Sequence, residues 1–237
     1  MKPTIALLVP TTSRKCNFKS ANDTPIVQIL GRSMDSLLQP ELFNYVLYLG
    51  YDPDDTWYTT NATKVSDSWS TLYPRIQIHM VQLDLTTTLV SKWNLLFIKA
   101  LSDDCDYFYQ LGDDIRIIDP RWEQEFIAGL VKNNGFGVTG PLDINNSRIL
   151  TQSFTSKRHH EIFGFYFHPR ISNWYCDDWI THVYPKTMTY RTKCRVQNMS
   201  GSTCRYVIDS SPKDILGELL VEGRKIITDT INELNGQ

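Results

Sequence analysis

The sequence predicts an α/β protein with a doubly wound, mostly parallel central sheet. Apolar runs of strand length alternate with segments of helical periodicity through the first two thirds of the 237 residues. Most of these apolar runs end in a loop of polar or glycine residues, as the strands of such sheets do. The sequence contains no internal repeat, linker or low-complexity run, so we expect one domain rather than two.

Five apolar runs predict the strands. The first, Thr4–Val9, is continuous rather than alternating, which is typical of a strand buried on both faces of a sheet. Residues that favour turns follow most of these runs, which fixes where the predicted strands end. The other four predicted strands are Tyr45–Leu49, Ile76–Leu83, Tyr107–Leu111 and Phe136–Thr139.

Helical spacing of apolar side chains predicts three helices between these strands and one after them. The last helix begins after Ser211, which we expect at its N-cap, with Pro212 in the first helical position. By contrast, residues 151–190 are irregular and rich in aromatic side chains, which indicates a substrate-facing elaboration of the sheet. The three earlier predicted helices are Ile26–Leu38, Thr88–Leu101 and Trp122–Val131.

Charge and cysteine content disfavour several classes of protein. A net charge of −2, with 41% hydrophobic residues, indicates a globular chain without a basic field for nucleic acid. The apolar runs are shorter than the roughly 18 residues of a membrane span. The five cysteines are widely spaced without a Cys-x-x-Cys pair, which disfavours a zinc site and favours a reducing compartment. Since Met1–Val9 is also too short for a secretory leader, we expect a cytoplasmic protein.

Three predicted strands end in polar loops, at residues 10–14, 50–55 and 112–114. Ligands of open α/β sheets bind beyond the carboxyl ends of the strands, where these loops should lie. The third loop carries Asp113 and Asp114 directly after a buried strand. Adjacent carboxylates at this position favour a site for Mg²⁺ or Mn²⁺ over the alternative, a solvated turn.

The order of these motifs resembles the GT-A family of nucleotide-sugar glycosyltransferases, and in particular its large-virus and protist members. The resemblance covers about residues 4–210. It rests on a first strand that ends in Pro-Thr-Thr-Ser-Arg, a later strand that ends in a variant of Asp-x-Asp, and two aromatic segments, His160–Gly164 and Asn173–Ile180. It implies a metal-dependent inverting enzyme that moves a hexosyl or deoxyhexosyl group from a nucleoside diphosphate sugar, with UDP expected, to a glycan or other hydroxyl acceptor.

The same resemblance implies one GT-A domain in three parts. Residues 1–119 would bind the nucleotide sugar, residues 120–210 would hold the acceptor, and residues 211–237 would form a C-terminal helix. If the protein is viral, its compartment would be the host cytoplasm.

The resemblance also assigns roles to residues on the donor side. Asp52 would accept a hydrogen bond from the base or ribose, and Lys92 would neutralise the diphosphate, with Asn94 beside it. From the residues alone, Lys92 is equally consistent with a solvated charge on the flank of a helix. Asp52 is consistent with a residue that only favours a turn. The loop that would cradle the base and ribose consists of Pro10, Thr11, Thr12, Ser13 and Arg14.

Four aspartates carry the chemistry that the resemblance implies. Asp114 would bind the metal directly, and Asp113 would assist through ribose or water. Asp178 would act as the general base, while Asp177 would orient the acceptor. Many family members add a histidine ligand near the end of the core, whereas Arg195–Met199 contains none.

Two alternatives remain open at the level of sequence. A sugar-nucleotide pyrophosphorylase shares the nucleotide-binding architecture, but the first loop lacks the glycines that such enzymes normally carry there. The other alternative is a catalytically inactive relative that only binds a glycan, which the missing histidine supports.

Overall fold

A computed structural model describes residues 1–84, 88–199, 205–206 and 209–235 of the chain. These residues contain eight strands and seven α-helices. The strands are β1 (Thr4–Pro10), β2 (Asn44–Tyr51), β3 (Gln77–Gln82), β4 (Tyr107–Gln110), β5 (Ile115–Ile117), β6 (Val138–Asp143), β7 (Ser153–Ser156) and β8 (Thr189–Asn198). The helices are α1 (Arg32–Met34), α2 (Thr56–Leu72), α3 (Leu89–Ser102), α4 (Trp122–Val131), α5 (Lys157–Phe163), α6 (Cys176–Val183) and α7 (Leu216–Asn235).

The eight strands form one sheet in the order β3-β2-β1-β4-β7-β6-β8-β5. β1 pairs in parallel with β2 and β4, and β2 pairs in parallel with β3. β7 is antiparallel to both β4 and β6, β6 is parallel to β8, and β5 is antiparallel to β8. Six of these strands therefore run in one direction, and the predicted mostly parallel α/β sheet is confirmed.

The continuous apolar sequence of β1 lets the sheet carry a hydrophobic core on each face. Ile5, Leu7 and Val9 pack into the core that α2 covers. Ala6 and Leu8 point the other way, into the core under α3 and α7, because successive side chains of a strand face opposite sides of the sheet. Helices on both faces are what a doubly wound sheet requires.

Helix α2 is absent from the sequence-based prediction, although it is one of the longest helices described. Its 17 residues are mostly polar, and only Tyr58, Val65 and Trp69 are buried. This apolar stripe is too sparse to predict a helix from its periodicity. The buried Trp69 side chain nevertheless fixes α2 to the sheet, and its indole N–H donates to the Ile76 carbonyl at 3.1 Å.

Three further segments differ from their predictions. The predicted helix Ile26–Leu38 consists of a π-helix, the single turn α1 and a 3₁₀ turn, so it is helical but irregular from Ile26 to Leu37. The C-terminal helix starts at Leu216 rather than after Ser211, because Ser211–Asp214 form a separate 3₁₀ turn. Residues 151–190, expected to be irregular, contain β7, α5, α6 and the start of β8.

The strand directions determine which loops meet. The carboxyl ends of β1, β2 and β4 lie at one edge of the sheet, and the carboxyl end of β6 lies at the same edge because β6 runs parallel to β4. This edge, called here the carboxyl edge, brings together the three polar loops that the sequence singled out. Among the described helices, none has the length and apolar character needed to cross a bilayer.

Candidate functional site

Asp55, which follows β2, organises the loop after β1. Its carboxylate accepts hydrogen bonds from the Thr12 hydroxyl at 2.9 Å, from the Ser13 N–H at 2.7 Å and from the Ser13 hydroxyl at 2.5 Å. The same carboxylate accepts the Tyr58 N–H at 3.2 Å and so caps α2. Burial alone would raise the pKa of Asp55, but these hydrogen bonds favour the ionised form and hold that pKa below its ordinary value.

Asp52 lies between two cations at the end of β2. Its Oδ2 is 2.7 Å from Arg14 Nη1 and 2.6 Å from Lys92 Nζ. Lys92 is 2% exposed, so the alternative of a solvated lysine on a helix flank is wrong. Arg14 is more exposed and also pairs with Asp54 at 2.7 Å. These contacts give Asp52 an ionic role beyond that of a turn former.

Asn94 follows Lys92 by two residues on α3 and binds backbone groups. Its Nδ2 donates to the Phe167 carbonyl at 2.8 Å, and its Oδ1 accepts the N–H groups of Tyr166 and Phe167 at 3.1 and 2.8 Å. The side chain thereby ties α3 to the segment that precedes α6. The remaining predicted loop residue, Pro10, is the buried last residue of β1.

Asp113 and Asp114 are buried side chains rather than parts of a solvated turn, with 2% and 8% of their surface exposed. Arg205 Nη1 donates to Asp113 Oδ2 at 2.9 Å, and Nη2 donates to the other oxygen of the same carboxylate. Arg205 Nη2 also lies 3.5 Å from Asp114 Oδ2. A Cβ atom at Gly112 would lie 2.7 Å from Asp114 Oδ1, so a larger residue at this position would have to displace the Asp114 carboxylate.

Residues 205 and 206 lie over the carboxyl edge. Burial alone would lower the pKa of the Arg205 guanidinium, but Asp113 and Asp114 raise it above its ordinary value. The aromatic ring of Tyr206 packs against Lys92, with Nζ 5.2 Å from the ring centroid. Thus side chains of the protein itself cover both the acidic pair and the lysine.

The described side chains at this edge carry more negative than positive charge. Five aspartates face three cationic side chains, which leaves a formal excess of two negative charges. The aspartates are Asp52, Asp54, Asp55, Asp113 and Asp114, and the cationic residues are Arg14, Lys92 and Arg205.

Asp113 and Asp114 form the predicted site of a divalent cation. One or two carboxylates, completed by phosphate oxygens and water, are the ligands that Mg²⁺ normally takes. In this arrangement, however, Arg205 binds both oxygens of Asp113, and Thr11 donates to one of them at 2.6 Å. Nor do the described residues contain a group of three or more histidine, cysteine or acidic side chains placed so that they could hold a metal ion. The two carboxylates are suitable ligands for such a cation, but they cannot bind it while Arg205 occupies the oxygens of Asp113.

Asp177 and Asp178 lie in the first turn of α6, and both are half-buried. Burial raises the pKa of Asp177 to about 8, and repulsion from the carboxylates of Asp178 and Asp143 contributes. The Cys176 thiol opposes this rise by donating to Asp177 Oδ1 at 3.6 Å. At neutral pH Asp177 is therefore mostly protonated and can donate a hydrogen bond.

A buried polar chain connects β4 with the region of α6. Gln110, three residues before Asp113, accepts the N–H of Ser153 at 3.1 Å. The Tyr166 hydroxyl donates to the Ser153 carbonyl at 2.7 Å, and Tyr166 is close enough to Asp177 for the carboxylate to help raise the tyrosine pKa. The carboxyl edge thus extends from the acidic pair toward the predicted acceptor side.

Sequence reasoning missed two residues of this site. Asp55 has the type and position of an N-cap, but this signal was hidden because α2 itself was not predicted. Arg205 is separated from Asp113 by 92 residues, and nothing in its local sequence indicates the contact.

Comparison with known proteins bears on the fold. No protein-family model matches the chain, and no curated protein matches it in sequence. Among solved structures, S. aureus TarS 1–349 in complex with UDP matches 94% of this chain and 65% of its own, with 14% identity and a TM-score of 0.53. A second structure of S. aureus TarS 1–349 matches with 13% identity and a TM-score of 0.47. A structure of S. aureus TarS matches over 43% of its length with 13% identity and a TM-score of 0.49.

The match with TarS 1–349 in complex with UDP shows that the two chains share a fold. Together with the sheet order, it confirms the predicted fold class, a single α/β domain with a mostly parallel central sheet and a C-terminal helix. The chain spans about two thirds of the length of that TarS fragment.

Proposed function

We propose that the protein is a glycosyltransferase that uses a UDP-sugar as donor and a hydroxyl group, on a glycan or another molecule, as acceptor. The observation that carries the proposal is the convergence of the first loop, the Asp52 ion pairs and the acidic pair at the carboxyl edge. Nucleotides bind at this edge in open α/β sheets. TarS 1–349, whose fold the chain shares, was solved in complex with UDP.

The donor would lie across the loop after β1. Ser13 and Arg14 are the parts of this loop that are not fully buried, and they would contact the base or ribose. Thr11 and Thr12 are fully buried and already bonded to aspartates, so we propose that they hold the loop in shape. Arg205 would lie beside the diphosphate, as the cation nearest the acidic pair.

A divalent cation, Mn²⁺ or Mg²⁺, is part of the proposal. Asp114 would hold it with help from Asp113, and when bound it would stabilise the negative charge of the departing nucleoside diphosphate. The excess of negative charge at the carboxyl edge supports the proposal of a cation, because a diphosphate entering without one would be repelled. Arg205 has to release the carboxylates before they can bind the cation.

We propose Asp178 as the base that removes the proton of the acceptor hydroxyl. The acceptor oxygen would bond to the anomeric carbon on the face opposite the diphosphate while the bond from that carbon to the diphosphate oxygen breaks, which inverts the configuration. We propose that Asp177 orients the acceptor, because its raised pKa keeps it protonated at neutral pH and able to donate a hydrogen bond to the acceptor.

The test is a thermal-shift series with UDP, GDP, ADP and CDP, each with and without Mn²⁺. A ligand at 100 times its dissociation constant adds ~2.7 kcal/mol of stability. For a chain of this size that corresponds to a rise in Tm of about 5–10 °C. We expect UDP with Mn²⁺ to give the largest rise.

Transfer is then measured with UDP-sugars by the release of UDP. UDP binding with no release from any UDP-sugar would favour the inactive glycan-binding alternative. Absence of a shift with all four nucleotides would exclude the donor site.

A further inference from the structure

A cavity of about 420 Å³ lies away from the carboxyl-edge residues described above. Its charged lining residues are all basic: Arg148, Lys186, Arg191 and Arg224, from four different parts of the chain. We call it the basic cavity. No acidic side chain lines it, and none of the four residues forms an ion pair within the described ranges 1–84, 88–199, 205–206 and 209–235. The whole chain is slightly acidic, so this concentration of positive charge is local.

Two of the arginines are held in place by backbone carbonyls. Arg224 Nη2 donates to the His182 carbonyl at 2.8 Å, and Arg191 Nη1 donates to the Ser147 carbonyl. The Arg191 Nε–H is buried and has no hydrogen-bond partner among the described residues. A buried donor without an acceptor costs about 1–3 kcal/mol, so this group favours an acceptor from outside the chain.

Thr181 adds a neutral donor to the basic cavity. Its Oγ1 accepts the Leu150 N–H at 2.9 Å, which leaves the hydroxyl proton for another acceptor. The cavity therefore combines fixed guanidinium groups, a lysine and a hydroxyl donor without a negative charge to offset their mutual repulsion.

We propose that the basic cavity binds a phosphate group. A phosphate monoester carries a charge of about −1.5 to −2 and three strong acceptor oxygens, whereas a carboxylate carries one charge and two oxygens. Arginine forks pair with phosphate oxygens two at a time. The volume suits a small molecule or one phosphorylated group, and nucleic acid would need an extended basic stripe instead.

The position of the basic cavity allows two sources for this phosphate. Thr181 follows Asp177 by four residues on α6, so the two share one face of the helix and are separated by about 6 Å along its axis. The phosphate could thus belong to an organic molecule that reaches the acidic residues of α6, or it could be the free ion.

The experiment titrates the full-length protein with inorganic phosphate and with glycerol phosphate at constant ionic strength, followed by ³¹P NMR and calorimetry. The test variant is Arg191→Gln/Arg224→Gln. The matched control is Lys193→Gln/Lys225→Gln, which removes two charges from the same strand and helix at exposed positions that do not line the cavity. Loss of a charge-assisted hydrogen bond should weaken phosphate binding about 10-fold or more in the test variant, and the control should bind as the wild type does.

Tighter binding of glycerol phosphate than of inorganic phosphate would assign the cavity to an organic ligand, and the reverse order would assign it to the free ion. If the test variant does not fold, Arg148→Gln/Lys186→Gln takes its place, since both residues are exposed. No saturable binding to the wild type, or equal loss in test and control variants, would overturn the proposal. UDP is titrated separately, so the phosphate result stands whether or not the proposed transferase activity is found.

Discussion

Replacing Arg205 with methionine should convert the acidic pair from a closed ion pair into a cation site. The Arg205 side chain is 9% exposed and that of Asp113 is 2% exposed, so water screens their interaction little. Methionine keeps most of the apolar stem but removes the charge, which leaves a buried carboxylate uncompensated at a cost of about 3–5 kcal/mol. For a chain of this size, Tm should fall by about 6–20 °C without a divalent cation.

The same substitution should raise the affinity for Mn²⁺. In the wild type the cation has to displace charge-assisted hydrogen bonds, each of which contributes about 1.5–3 kcal/mol. Removal of one such contribution corresponds to binding about 10–150 times tighter, measured by calorimetry or by the electron paramagnetic resonance signal of free Mn²⁺. Saturating Mn²⁺ should also restore much of the Tm that the variant loses.

Arg195→Met is the matched control. Arg195 forms two side-chain hydrogen bonds of 2.8 Å with Asp119, but its side chain is 53% exposed. Exposed pairs contribute about 0–1 kcal/mol, so Tm should change little and Mn²⁺ affinity not at all. Adding Asp114→Asn to Arg205→Met should cancel the gain in affinity. Equal Mn²⁺ affinity in the wild type and Arg205→Met would refute the competition between cation and guanidinium.

Substitutions at three other residues test the remaining parts of the site. Asp55→Ala should lower the free energy of unfolding by about 2–4 kcal/mol, which corresponds to a fall of about 4–16 °C in Tm. Asp55→Asn should lower it less, because asparagine still caps α2. Equal losses of stability in the two variants would contradict the capping role. The raised pKa of Asp177 means that its ionisation destabilises the fold, so the Tm of the wild type relative to that of Asp177→Asn should fall as pH rises from about 4 to about 8. The exposed Asp229→Asn should show no such trend relative to the wild type, and parallel curves for the wild type and Asp177→Asn in denaturation scans would refute the shift. Asp178→Asn should lower kcat by roughly 10²–10⁴ with unchanged UDP affinity, and turnover near that of the wild type in a UDP-release assay would exclude Asp178 as base.

The strands were predictable because their signal is local. The run that became β1 is apolar at each position from Ile5 to Val9, a pattern typical of a strand buried on both faces. Once the parallel strands are assigned, their carboxyl ends share an edge by necessity, which is why the loop at 10–14 and Asp113 could be placed together from sequence.

Other features depend on contacts that leave little trace in the local sequence. Helix α2 owes its place to a cap by Asp55 and to the burial of Trp69, while its polar and β-branched residues give little helical signal. Helix α7 begins at Leu216 rather than, as predicted, after Ser211, because Pro212 and its neighbours form a separate tight turn. Helix boundaries set by such competition are decided by packing rather than by propensity.

Arg205 connects the electrostatics of the carboxyl edge with the entry of the proposed donor. The diphosphate of a UDP-sugar would bring further negative charge to an edge whose described side chains already carry an excess of two. Binding then requires either a cation on Asp114 and Asp113, which displaces the guanidinium, or rotation of the guanidinium from Asp113 to the phosphate. Both routes break the same buried ion pair, so the strength of the pair between Arg205 and Asp113 sets part of the free energy of donor binding by either route.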